Sequence, residues 1–143
     1  MNKQIIMAYQ FTLKTKLPAS PQEVYNAWLS SDGHTAMTGG KAKVDPEIGG
    51  AHTAWDGYIH GKTLAKEPGK RIEQTWRTTN FAADDPDSLI EILLEPDGED
   101  TLLTLIHSNV PDGQTSYEET GWQQFYFEPM QKRFEWLRMQ EKI

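Results

Sequence analysis

The sequence predicts an α+β domain: a curved antiparallel sheet of about seven strands closed by one long C-terminal helix. Three observations carry this. Residues 9 to 17 alternate apolar and polar side chains, residues 40 to 108 are almost entirely period-two stretches separated by turn residues, and from Tyr117 onward the apolar period changes to that of a helix. A sheet with one apolar face needs a cover, and only the final segment is long enough to supply it. At 143 residues the chain fits one domain, 1–143, with residues 1–8 expected to be loosely tied.

In the first strand Tyr9, Phe11, Leu13 and Leu17 share a face opposite Gln10, Thr12, Lys14 and Lys16. Ser20-Pro21-Gln22-Glu23 follows. Serine at the N-cap, proline at the first helical position and glutamate at the third form a capping box, so a helix starts there. Val24, Ala27 and Trp28, with Tyr25, give it an apolar stripe. Ser30 to Gly33 interrupts it, and His34 to Met37 reads as a second short helical piece. Asp56-Gly57 sits between two strand-like runs as a two-residue hairpin loop, which pairs Ala54 with Ile59, Thr53 with His60 and His52 with Gly61. The same register pairs Trp55 with Tyr58 on the outward face. Ile72, Gln74 and Trp76 face inward on the next strand. Ile90, Ile92 and Leu94 then oppose Leu103, Leu105 and His107 across a hairpin. Pro129 is expected to kink the last helix, because its ring removes a donor and collides with the preceding turn.

Composition excludes several functions. There are 14 basic and 21 acidic residues, a net charge of −7, which disfavours the counterion-releasing contacts of nucleic-acid binding. The absence of cysteine rules out a disulfide framework and thiolate metal sites, and fits a reducing, cytoplasmic setting. No apolar run approaches a membrane span. His34, His52, His60 and His107 lack zinc-motif spacing, so no metal is expected, and nothing in the sequence implies a cofactor. No serine sits in a nucleophile elbow. The acidic residues Asp84, Asp85, Asp87, Glu91, Glu95, Asp97, Glu99 and Asp100 have no base among them and read as a solvated rim. No catalytic set is assigned.

The order of the capped helix, Met37-Thr38-Gly39-Gly40, Gly49-Gly50, the run from Trp55 to Gly61, Pro68 to Ile72, Thr75-Trp76-Arg77, Thr101 to His107 and Gly121-Trp122 resembles the homologues of the activator of the 90-kDa heat-shock-protein ATPase. These belong to the START and birch-pollen-allergen superfamily. The resemblance implies the helix-grip fold, a seven-stranded antiparallel sheet around a C-terminal helix, often with an apolar cavity between them. The position of His52 is usually a large apolar residue in that family. The eukaryotic activator also has a separate N-terminal domain, for which 143 residues leave no room.

Three functions compete. In the first, the domain is a non-catalytic binding or regulatory module for a small apolar or amphipathic ligand. Trp28, Met37, His52, Ile59, Gln74, Trp76, His107, Phe125 and Tyr126 are the expected cavity residues. In the second, it contacts the 90-kDa chaperone and stimulates its ATPase, with Trp55 and Tyr58 as exposed anchors. A third, a cavity enzyme, rests only on His52 and His107. The same residues also serve as ordinary core: a buried imidazole bonded to a backbone carbonyl fills space without chemistry. Oligomeric state is not legible.

Overall fold

The computed structural model describes residues 9–142. The expectation of a loose terminus at residues 1–8 lies outside them. β1 (Tyr9–Leu17) leads into α1 (Pro21–Trp28) and α2 (Ser31–Thr38), followed by β2 (Lys43–Val44), β3 (Ala51–Ala54), β4 (Ile59–Glu67), β5 (Arg71–Thr78), β6 (Ser88–Asp97) and β7 (Asp100–Val110). Two π-helical segments, Tyr117–Gly121 and Gln123–Phe127, run into α3 (Glu128–Glu141). The strands form one antiparallel sheet in the order β1-β7-β6-β5-β4-β3-β2.

Local chemistry explains the helix starts. The Ser20 hydroxyl accepts the Glu23 N–H while the Glu23 carboxylate accepts the Ser20 N–H, so two otherwise unpaired donors are satisfied. Ser30 caps α2 through the Gly33 N–H, so the residues that break α1 also begin α2. Gly39, at φ 87°, ends α2 in the left-handed conformation.

The sheet follows the alternation. Phe11, Leu17, Ile72, Gln74, Trp76, Ile90, Ile92, Leu94, Leu103, Leu105 and His107 are buried on its inner face. Register agrees as well: Ile90 opposes His107, Ile92 opposes Leu105 and Leu94 opposes Leu103. β3 and β4 pair Ala54 with Ile59 and His52 with Gly61, as the hairpin spacing predicts.

Gly61 has a further role. A Cβ there would lie 1.9 Å from the Thr75 carbonyl oxygen and 2.7 Å from His52 Nε2. The clash is with a neighbouring strand's backbone, so it cannot be relieved by a rotamer change. Gly61→Ala is expected to destabilise the protein by about 1–3 kcal/mol, read in a urea titration.

Three expectations are corrected. The turn after β3 comprises Trp55 to Tyr58, with Trp55, Asp56 and Gly57 at φ 50°, 57° and 90°. Left-handed backbone breaks the pleat, so alternation no longer decides where Trp55 and Tyr58 point. Both pack against the core rather than standing on the outer face. The final helix is not regular α-helix from Tyr117: π-helical turns precede α3, and Pro129 falls where they give way to it, with right-handed helical backbone at Trp122, Phe127 and Glu128. The acidic rim is also less bare than its sequence suggests. Arg77 pairs with Asp87, Arg71 with Glu91, and Arg138 with Asp100, because other elements bring the bases in.

Candidate functional site

Between the β3–β4 turn, the inner face of β4 and β5, and the π-helical segments lies a cavity of about 390 Å³. Ile59 and Trp76 form its sheet side, Trp55 and Tyr58 its turn side. Ser116, Tyr117, Thr120, Gly121, Trp122, Phe125 and Tyr126 form the helical side. Seven of these eleven residues are aromatic and none is acidic or basic, so the space suits an uncharged, flat body. Phe125 is half-exposed and stands edge-on to Trp55, with ring centroids 5.4 Å apart.

Hydrogen bonds behind the wall hold these rings in place. The Trp122 indole N–H, a donor only, reaches His107 Nδ1 at 3.0 Å. His107 Nδ1 therefore accepts, and Nε2 carries the proton toward the Ser88 hydroxyl at 2.9 Å. Ser88 in turn donates to the Trp76 carbonyl. Burial lowers the His107 pKa to about 3, so the ring is neutral. A second chain of bonds holds Tyr126. His34 Nδ1 donates to the Trp28 carbonyl at 2.9 Å, which leaves Nε2 to accept from the Tyr126 hydroxyl at 2.9 Å. Burial lowers the His34 pKa to about 4 and raises that of the Tyr126 phenol. Tyr117 is held by Thr78 and Gln114, and burial pushes its pKa up to about 12.

The residues singled out in the sequence divide into two groups. Ile59, Trp76, Phe125 and Tyr126 line the cavity, and so do Trp55 and Tyr58, which the sequence pattern had placed outside. Trp28, Met37, His52, Gln74 and His107 do not line it; they are buried behind or beside it. The Trp28 N–H donates to Gln74 Oε1, and the Gln74 amide donates to Thr63, so this polar pair is closed on itself. His52 donates from Nε2 to the Thr75 carbonyl at 3.0 Å, and its pKa is lowered by burial. His52 and His107 thus have separate partners. Both nitrogens of His107 are engaged, which leaves that ring no free position for proton transfer to a guest. Among the described residues no group of three or more metal-ligating side chains converges.

Sequence reasoning missed His34 and the part played by Tyr117. His34, Met37 and Thr38 are the buried residues of α2, a helical spacing that was present in the sequence but overshadowed by Gly33. Trp122, which the sequence offered through the Gly121-Trp122 motif, is a buried anchor of the core and forms cavity wall too.

The family described as Activator of Hsp90 ATPase homolog 1-like protein matches residues 18–135. The chain belongs to that family. The human Activator of 90 kDa heat shock protein ATPase homolog 1 is 26% identical over 125 residues, covering 87% of this chain and 37% of its own length. The Dictyostelium discoideum homologue is 27% identical over 111 residues, covering 77% of this chain and 29% of its own. The domain thus spans about a third of the length of these curated relatives. Among solved structures, an HSP90 activator from Plasmodium falciparum superposes with a TM-score of 0.76 at 22% identity, covering 83% of this chain and 91% of that one. A Chromobacterium violaceum protein does so with a TM-score of 0.71 at 27% identity, covering 88% and 96%. These likenesses confirm the helix-grip architecture for this member of the family.

Proposed function

We propose that this domain is a non-catalytic binding module that takes a small apolar or amphipathic ligand between sheet and helix. The supporting observation is the aromatic, charge-free cavity with the half-exposed Phe125 beside it. Its volume lies within the range of ordinary ligand sites, about 300–1,000 Å³. Gly121 supplies a test. A Cβ there meets only ordinary contacts, 3.4 Å from the Ser116 carbonyl oxygen and 3.6 Å from Tyr117, so a side chain can grow from the wall without disturbing the helix. Native mass spectrometry of gently purified protein, followed by a thermal-shift screen of lipids and metabolites, is expected to show a bound species. Gly121→Leu should weaken its binding by at least about tenfold by occupying the space. Unchanged binding in a folded Gly121→Leu protein would contradict the reading.

Family membership favours a second reading: contact with the 90-kDa heat-shock chaperone, in the cytoplasm. Since Trp55 and Tyr58 are turned toward the cavity, such a contact would use other surfaces, for example the exposed Trp136 and Met139 of α3. The chaperone's ATPase rate with and without this protein decides it. A stimulated rate supports the contact, and no change at high micromolar concentration counts against it.

A further inference from the structure

We propose that the cavity selects an uncharged aromatic ligand bearing a hydrogen-bond acceptor, which pairs with the indole N–H of Trp55. This rests on the binding reading above and names the chemistry of its guest.

Trp55 Nε1 is the one buried side-chain polar atom without a hydrogen-bond partner among the described residues. Of the other five polar groups of the aromatic wall, four are already engaged; the exception is the Trp76 N–H, which is not among the fully shielded unpartnered atoms. The Trp122 N–H serves His107, the Tyr126 hydroxyl serves His34, and the Tyr117 hydroxyl lies between Thr78 and Gln114. Tyr58 accepts from the Asn80 amide. A donor shielded from water and left unpaired is costly, so natural structures seldom keep one without a reason.

The placement of this indole is also specified by its surroundings. Trp55 has φ 50°, a left-handed conformation that a bulky residue rarely adopts, followed by Asp56 at 57°. Gly40 makes room for it, since a Cβ there would lie 2.4–2.9 Å from three carbons of the indole. Strained backbone and a missing side chain together seat the ring against the cavity. Phe125 stands edge-on to this ring and is 47% exposed; in this proposal the ligand's acceptor reaches Nε1 by displacing it.

Three features then fix the ligand class. Walls without a charged side chain exclude an ion, which would be buried without a counter-charge. Seven aromatic walls favour a flat ring system by stacking and edge contacts. A volume of about 390 Å³ admits two fused rings with a short substituent. The acceptor is a ketone, ester, ether or ring-nitrogen lone pair.

Three matched probes test this: 2-acetylnaphthalene, 2-ethylnaphthalene, which has nearly the same shape but no acceptor, and the anion 2-naphthoate. Titrations are followed by the indole N–H resonances of ¹⁵N-labelled protein. The ketone is expected to bind at least about tenfold tighter than the hydrocarbon and the carboxylate. The Trp55 indole proton should move downfield with the ketone alone. Trp55→Phe, which removes the donor and also identifies its resonance, should erase the preference. If that variant does not fold, the wild-type comparison still decides. Equal binding of ketone and hydrocarbon overturns the acceptor assignment while leaving the binding module intact. A shift at Trp76 in place of Trp55, or carboxylate bound as tightly as ketone, overturns it too. Failure of all three probes to bind removes both this inference and the binding reading for flat aromatics.

Discussion

Replacing Trp122 with alanine is expected to destabilise the domain by about 3–5 kcal/mol, a large share of the about 5–15 kcal/mol that holds a domain folded. Trp122 is 2% exposed, and its ring contacts those of Trp28, Trp76, His107, Tyr126 and Phe127. It joins the helical cover to the sheet at the middle of the inner face. Truncation removes that packing and takes away the donor to His107 Nδ1. Trp122→Phe is a milder change. It keeps an aromatic ring but loses the N–H and part of the indole's volume, so it should cost less than alanine, about 1–3 kcal/mol. Chemical denaturation of the three proteins checks both values. A Trp122→Ala protein within about 1 kcal/mol of wild type would mean that the helix does not depend on this anchor.

Acid should unfold the protein earlier than its carboxylates alone require. His34 and His107 are neutral in the fold, with pKa values lowered by burial from 6.5 to about 4 and about 3. In the unfolded chain they take up protons near their ordinary pKa. The unfolded state therefore binds more protons between about pH 6.5 and the folded values, and stability falls as pH falls through that window. Above pH 6.5 the contribution is fully present. Each histidine contributes a slope of up to about 1.4 kcal/mol per pH unit. His52, also lowered by burial, adds in the same direction. Urea midpoints from pH 7.5 to 4.5 measure the slope, and His34→Gln should flatten it. Stability independent of pH over that range would contradict the neutral, buried assignment.

The sheet was legible because its residues obey a strict period of two under a solvated outer face. Ile72-Gln74-Trp76 and Leu103-Leu105-His107 could point only one way once one face was buried. Ser20 and Glu23 announced α1 through chemistry local to four residues. The site was less legible because its defining features are not periodic. Trp55 enters the cavity through left-handed backbone at 55 and 56, where alternation has no authority. His107 and Gln74 are inward, as the alternation predicts, yet inward is not the same as lining. Trp122 and Trp28 reach them first and use their polar atoms. The π-helical turns from Tyr117 to Phe127 shift which side chains share a face, so helical spacing alone could not select Tyr117, Trp122 and Tyr126 as one wall.

The space walled by Ile59, Trp76, Trp122 and Tyr126 is expected to receive a ligand. Intermolecular nuclear Overhauser effects between 2-acetylnaphthalene and the labelled protein measure that directly. Cross-peaks from the naphthalene protons to Ile59 methyls and to the rings of Trp76, Trp122 and Tyr126 are predicted. Cross-peaks confined to the exposed Trp136 and Met139 on α3 would show that the probe binds the surface and that the interior does not accept it.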